Sequence, residues 1–123
     1  MKFFKCDMCG NIVELINDAG VPVSCCGQDM TELIPGTSDA STEKHVPECS
    51  VDGNKVTVKV GSEKHPMVEN HYIEWVTIET NKGAYRICLK PGCEPKVEIT
   101  LAEGEKVVGV YSYCNVHGLW KAK

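Results

Sequence analysis

The chain has 123 residues, of which 42% are hydrophobic, 24% charged and 7% aromatic, enough for one modest core and a small satellite module. A net charge of −4, with neither Lys nor Arg gathered into a patch, argues against nucleic-acid and anionic-membrane partners. No apolar run approaches the ~20 residues of a membrane span.

Met1-Lys2-Phe3-Phe4-Lys5 meets Cys6 before an apolar signal core can form, so a cytoplasmic protein is expected. Eight cysteines in a reducing compartment then read as metal ligands rather than as a disulfide framework. Four of them fall within residues 1–34, which contain no histidine. Cys6-Asp7-Met8-Cys9-Gly10 is a tight Cys-x-x-Cys turn whose N–H groups can face the thiolates, with glycine free to take φ > 0. Fifteen residues later comes Cys25-Cys26-Gly27. Four thiolates on two turns suit a tetrahedral site for iron or zinc. Because Cys25 and Cys26 are adjacent, that tetrahedron should be distorted. Short strands are expected over 12–16, 21–24 and 31–34, pinned around these turns.

Pro35-Gly36-Thr37-Ser38-Asp39-Ala40-Ser41-Thr42 is small and polar, as a linker should be. Beyond it helix signals are nearly absent and alternation dominates. Val56, Val58 and Val60 alternate with Lys55, Thr57 and Lys59; Val97, Ile99 and Leu101 alternate with Glu98 and Thr100. Segments 72–80, 84–89 and 107–113 are rich in β-branched and aromatic residues. Turn signals at Asp52-Gly53-Asn54, Asn81-Lys82-Gly83, Lys90-Pro91-Gly92 and Glu103-Gly104-Glu105 separate these runs. The expectation is a mainly β chain, with domains over 1–36 and 37–123, the second an antiparallel β-sandwich.

All four histidines lie in this second part, as Lys44-His45-Val46-Pro47, Lys64-His65-Pro66-Met67, Asn70-His71-Tyr72 and Cys114-Asn115-Val116-His117-Gly118. A cysteine three residues before a histidine, with two prolines stiffening neighbouring backbone, points to a second transition-metal site. Strand ends and loops are where a sandwich can converge such ligands.

Glu43-Lys44-His45-Val46-Pro47, His65-Pro66-Met67, His71-Tyr72-Ile73 and 114–118 together resemble the motifs of desulfoferrodoxin, the two-iron class of superoxide reductase. The front half, with its four cysteines, resembles that family's desulforedoxin-like (rubredoxin-like) domain. The resemblance covers essentially the whole chain in the family's order. It implies two irons per chain: one held by Cys6, Cys9, Cys25 and Cys26, the other by His45, His65, His71 and His117 in a plane with Cys114 as axial thiolate. It implies an immunoglobulin-like sandwich and a homodimer. The implied reaction is one-electron reduction of superoxide to hydrogen peroxide without dioxygen release, with a rubredoxin-type donor. Lys44 would extend a positive field and deliver protons, and Glu43 would occupy the vacated ferric position. Cys49, Cys88 and Cys93 are extra to this pattern and are given no role, and a Cys88–Cys93 disulfide is not favoured. Trp75 and Trp120 read as packing residues, Trp120 close enough to His117 to shield the metal.

Overall fold

The computed structural model describes residues 1–36 and 40–123; Thr37, Ser38 and Asp39, within the expected linker, lie outside the described residues. Two compact units emerge, Met1–Ile34 and Pro35–Lys123.

The first unit is built on an antiparallel three-stranded sheet. β1 (Lys2–Lys5) lies between β2 (Ile12–Leu15) and β5 (Thr31–Glu32). A two-residue hairpin joins β3 (Ser24–Cys25) to β4 (Gln28–Asp29). The strand expected over 21–24 is therefore wrong in its extent, as Ser24 alone of that segment enters a strand. The chain instead spends its hydrogen bonds on the turn: Met30 N–H donates to Val23 O at 2.7 Å. Cys26 and Gly27 take φ of 54° and 75°, the paired left-handed conformation of a tight hairpin turn. Glycine accepts it readily, whereas Cys26 does so under strain of about 1–2 kcal/mol. Among the described residues of this unit, Phe3, Cys6 and Met30 are its buried hydrophobics. So small a core needs a further staple.

In the second unit a single helical turn, α1 (Thr42–His45), leads into seven strands. These are β6 (Pro47–Asp52), β7 (Lys55–Val60), β8 (Ile73–Thr80), β9 (Gly83–Cys88), β10 (Lys96–Thr100), β11 (Val107–Cys114) and β12 (Gly118–Lys121). They form two antiparallel sheets, β10-β7-β6 and β12-β11-β8-β9. Sheets of three and four strands match the expected immunoglobulin-like sandwich. Its core sets Val56, Val58, Val60 and Val97 of one sheet with Ile73, Val76, Ile78 and Val110 of the other. Each such side chain contributes roughly 1.5–3 kcal/mol by leaving water.

One end of this sandwich positions the site. Cys114, the last residue of β11, pairs with Ile73 at the start of β8 and with Gly118 at the start of β12. The connection from β7 to β8 carries His65 and His71, and α1 ends on His45. Among the described residues no helix is long and apolar enough to cross a membrane.

Candidate metal centres

The four imidazoles form a closed ring. Centroids of consecutive pairs lie 4.6 Å (His45–His65), 4.9 Å (His65–His71), 5.1 Å (His71–His117) and 4.8 Å (His117–His45) apart. His45 and His71 face one another across the ring at 6.3 Å. His45 Nε2 is 3.1 Å from both His65 Nε2 and His117 Nδ1. Nitrogens in a square about 2.1 Å from a metal would stand roughly 3.0 Å apart along its edges.

Between His45 and His65 the tautomers exclude a direct hydrogen bond as the reason for this closeness. His45 Nδ1–H donates to Ser41 O and His65 Nδ1–H to Pro66 O, each at 2.7 Å. Their Nε2 atoms thus carry lone pairs that face each other. His71 Nε2 is buried with no hydrogen-bond partner. Burial favours the neutral imidazole at His65, which falls to about 4, and at His45 and His71, which are also lowered, the latter further by the charges of His117 and Lys44. Neutral imidazoles anchored by backbone carbonyls are suitable metal ligands.

Cys114 supplies the soft donor. Its sulfur is buried and lies 4.0 Å from His117 Nδ1. The donor atoms of His45, His65, His71 and Cys114 all lie within 4.8 Å of one another. Burial pushes the thiol pKa up, against the stabilising N–H groups of His117 and Val116. A cation would reverse that penalty. Buried lone pairs, an unpartnered Nε2 and one thiol therefore fit a first-row metal, with borderline nitrogen and soft sulfur ligands suiting iron.

Several supports escaped the sequence reading. Asn115 Oδ1 accepts from Tyr72 N–H at 2.9 Å and its amide donates to Asn70 O at 3.1 Å, tying the 114–117 turn to the segment bearing His71. Buried Ser112 donates to His45 O at 3.1 Å. Trp120, which the sequence placed near His117, stacks on His45 (5.0 Å, 29°) and its Nε1–H donates to His117 O at 3.1 Å. Asn115 and Ser112 carried no signal beyond ordinary polar residues in or beside a strand.

The exposed Lys44 and Glu43 sit on α1 beside His45. Lys44 bears electrostatically on both His45 and His71. Glu43 is turned onto its own helical turn: its pKa is lowered by its own N–H and by Ser41 and Thr42, and Thr42 Oγ1 donates to it at 3.3 Å. Its carboxylate is thus not among the convergent donors.

The first unit brings its four cysteines together. Cys9 Sγ is 3.6 Å from Cys25 Sγ, which is 3.9 Å from Cys26 Sγ. Those spacings exclude disulfides; thiolates about 2.3 Å from a tetrahedral metal would stand roughly 3.8 Å apart. Cys9 N–H donates to Cys6 Sγ and Asn11 N–H to Cys9 Sγ, both at 3.5 Å. The Cys9 N–H holds the Cys6 pKa down to about 7, while Cys26, crowded by Cys9, Cys6 and Cys25, is pushed up to about 12. Four thiolates cannot coexist here without a cation, so this donor set also fits a metal. Cys49, Cys88 and Cys93 are free and exposed.

Residues 37–123 match the family described as Desulfoferrodoxin, and residues 1–33 match its N-terminal domain. A desulfoferrodoxin homolog of Archaeoglobus fulgidus is 47% identical over 99% of this chain and 96% of its own length. The desulfoferrodoxin of Nitratidesulfovibrio vulgaris is 43% identical over 99% and 95%. Among solved structures, the superoxide reductase of Treponema pallidum superposes with a TM-score of 0.83 at 37% identity, covering 99% of this chain and 98% of that one.

Proposed function

The chain belongs to the desulfoferrodoxin family, and from that premise we propose that it is a superoxide reductase whose reaction centre is an iron held by His45, His65, His71, His117 and Cys114. The observation that carries this reading is the ring of four imidazoles closed around buried lone pairs, with Cys114 beside them. When bound, the iron supplies a one-electron couple and a coordination position that superoxide can reach.

The residues of the chain supply charge, order and shielding. Four neutral imidazoles and one thiolate leave a ferrous centre with a net charge of +1, which draws superoxide despite the acidic body. Lys44 adds to that positive field and stands as proton donor toward the product. Trp120 covers the His45 side of the ring and keeps bulk water from it. Glu43 would supply a carboxylate ligand to the iron, for which its side chain would have to leave Ser41 and Thr42. One electron and two protons convert superoxide to hydrogen peroxide, and no dioxygen is formed.

Cys6, Cys9, Cys25 and Cys26 hold the second iron. A rubredoxin-type protein as electron donor, a homodimeric assembly and a cytoplasmic setting complete the proposal. The deciding experiment exposes the reduced protein to a superoxide flux under anaerobic conditions. Hydrogen peroxide should form one-for-one with superoxide consumed; dioxygen release in a dismutation ratio would overturn the reading.

A further inference from the structure

The turn that bears Glu43, Lys44 and His45 is gripped by its carbonyl oxygens. Ser41 O accepts from His45 Nδ1–H and Thr42 O from Val46 N–H. Glu43 O accepts twice, from Glu63 N–H at 2.9 Å and from Ser62 Oγ at 3.2 Å. His45 O accepts from Ser112. Lys44 O is different: it points at Gly61. A Cβ placed there would collide first with Glu63 O of its own segment, and would also stand 2.7 Å from Lys44 O and 2.8 Å from Glu43 O of α1, too close in both cases. Gly61 has φ +86° and donates its N–H to Val46 O at 3.2 Å. Its bare Cα is therefore what allows the 61–63 segment to lie against α1.

We propose that Gly61 and Ser62 are positioning residues for superoxide reduction, forming a clasp that holds the backbone of Lys44 and Glu43 beside the imidazole ring and leaves their side chains free to turn. The inference rests on the functional reading above for what Lys44 does, and on geometry for the clasp itself. Both residues belong to the connection that continues into His65, so the same few residues place a ligand and the turn carrying the positive charge. Without the clasp α1 has little of its own to keep it: it is one turn long, and Ser41 makes no side-chain cap bond to it.

The test compares Gly61→Ala and Ser62→Ala with Gly53→Ala. Gly53 has a similarly positive φ of +61° but nothing within 4 Å of its would-be Cβ, so it reports backbone strain without collision. Amide exchange is measured on zinc-loaded protein, where redox chemistry does not intrude. The Glu63 and Val46 amides should exchange about ten-fold faster in Gly61→Ala, and measurably faster in Ser62→Ala, as the clasp opens locally. The amides of β8 and β11 should be unchanged, and Gly53→Ala should leave Glu63 and Val46 as in the wild type. In iron-loaded protein the Cys114 charge-transfer absorption should persist in all three. The second-order rate with superoxide at low salt should drop about ten-fold in Gly61→Ala with a flattened salt dependence. Unchanged Glu63 and Val46 exchange in both clasp variants would overturn the proposal, as would faster exchange with a wild-type, salt-dependent rate. Ser62→Ala, which adds no atoms, decides the matter if Gly61→Ala does not fold. If the wild-type protein fails to reduce superoxide, the functional reading falls and the exchange measurement still judges the clasp.

Discussion

His45 and His65 present their Nε2 lone pairs to each other across 3.1 Å, each with its Nδ1–H committed to a backbone carbonyl. Neither ring can rotate to relieve the contact without breaking its part-buried hydrogen bond to backbone, at a cost of about 1 kcal/mol. A bound cation resolves the conflict, so the second unit should lose stability when stripped of metal. A site occupied at 100-fold or more above its dissociation constant stabilises by about 2.7 kcal/mol or more, or about 10–20 °C in a domain of this size. Thermal unfolding with and without chelator, followed by iron(II) or zinc(II) restoration, checks this. Equal melting temperatures would remove the metal from the site.

In the proposed reaction Lys44 acts by its charge and not as a ligand, and salt tests that role. Lys44→Ala should slow the reaction with superoxide about ten-fold at low ionic strength and flatten its salt dependence. Lys44→Arg should restore most of the rate. The iron content and the charge-transfer absorption should not change in either variant. A salt-independent wild-type rate would deny Lys44 any steering role.

Phe3, Cys6 and Met30 are too small a buried set to hold residues 1–34 unaided. Removing metal from the thiolate site should unfold this unit while the sandwich remains ordered. Limited proteolysis should then cut within 1–34 and spare β8 and β11. Cys25→Ser tests function separately: superoxide reduction that survives with an intact sandwich would make the thiolate site a structural pin rather than an obligatory relay.

What the sequence disclosed follows the strength of its local signals. The alternating valines of β7 announced a strand with one buried face, while the β-branched and aromatic runs of β8 and β11, buried on both faces for much of their length, and of β9, half-buried at Tyr85 and Ile87, announced strands by residue type. β6 gave no such signal, since Glu48 through Asp52 are exposed and an edge strand needs no alternation. The segment over 21–24 misled because Val21 and Val23 suggest a strand, whereas the turn at Cys26 and Gly27 governs the local backbone. Ligand types were visible in the Cys114 to His117 spacing. The closed ring of imidazoles was legible only through the family resemblance, because the local pattern does not show the backbone carbonyls at Ser41 and Pro66 that orient His45 and His65 and that any residue could supply. Gly61 was equally silent: its importance lies in which carbonyl passes over it.

Glu105 ties the hairpin of β8 and β9 to the turn that follows β10. Its carboxylate accepts from Thr80 Oγ1 at 2.6 Å, from Tyr85 OH at 2.8 and 3.0 Å, and from Ala102 N–H at 2.9 Å. All the donors are neutral, so an ionised carboxylate, which only accepts, is the group that satisfies them. Thr80 foremost, then Ala102 and Tyr85, lower its pKa below the ordinary 4.5. A group depressed in the folded state contributes stability that is fully present above its unfolded value and lost as pH falls through its folded one. Glu105→Gln replaces one acceptor oxygen by an amine that must face a donor. The variant should therefore be less stable than the wild type at neutral pH, with the difference shrinking as pH falls below 4.5. Denaturant unfolding of both proteins from neutral pH into the acid range measures this. A stability difference that stays constant down to the acid transition would show that Glu105 acts through packing and not through its charge.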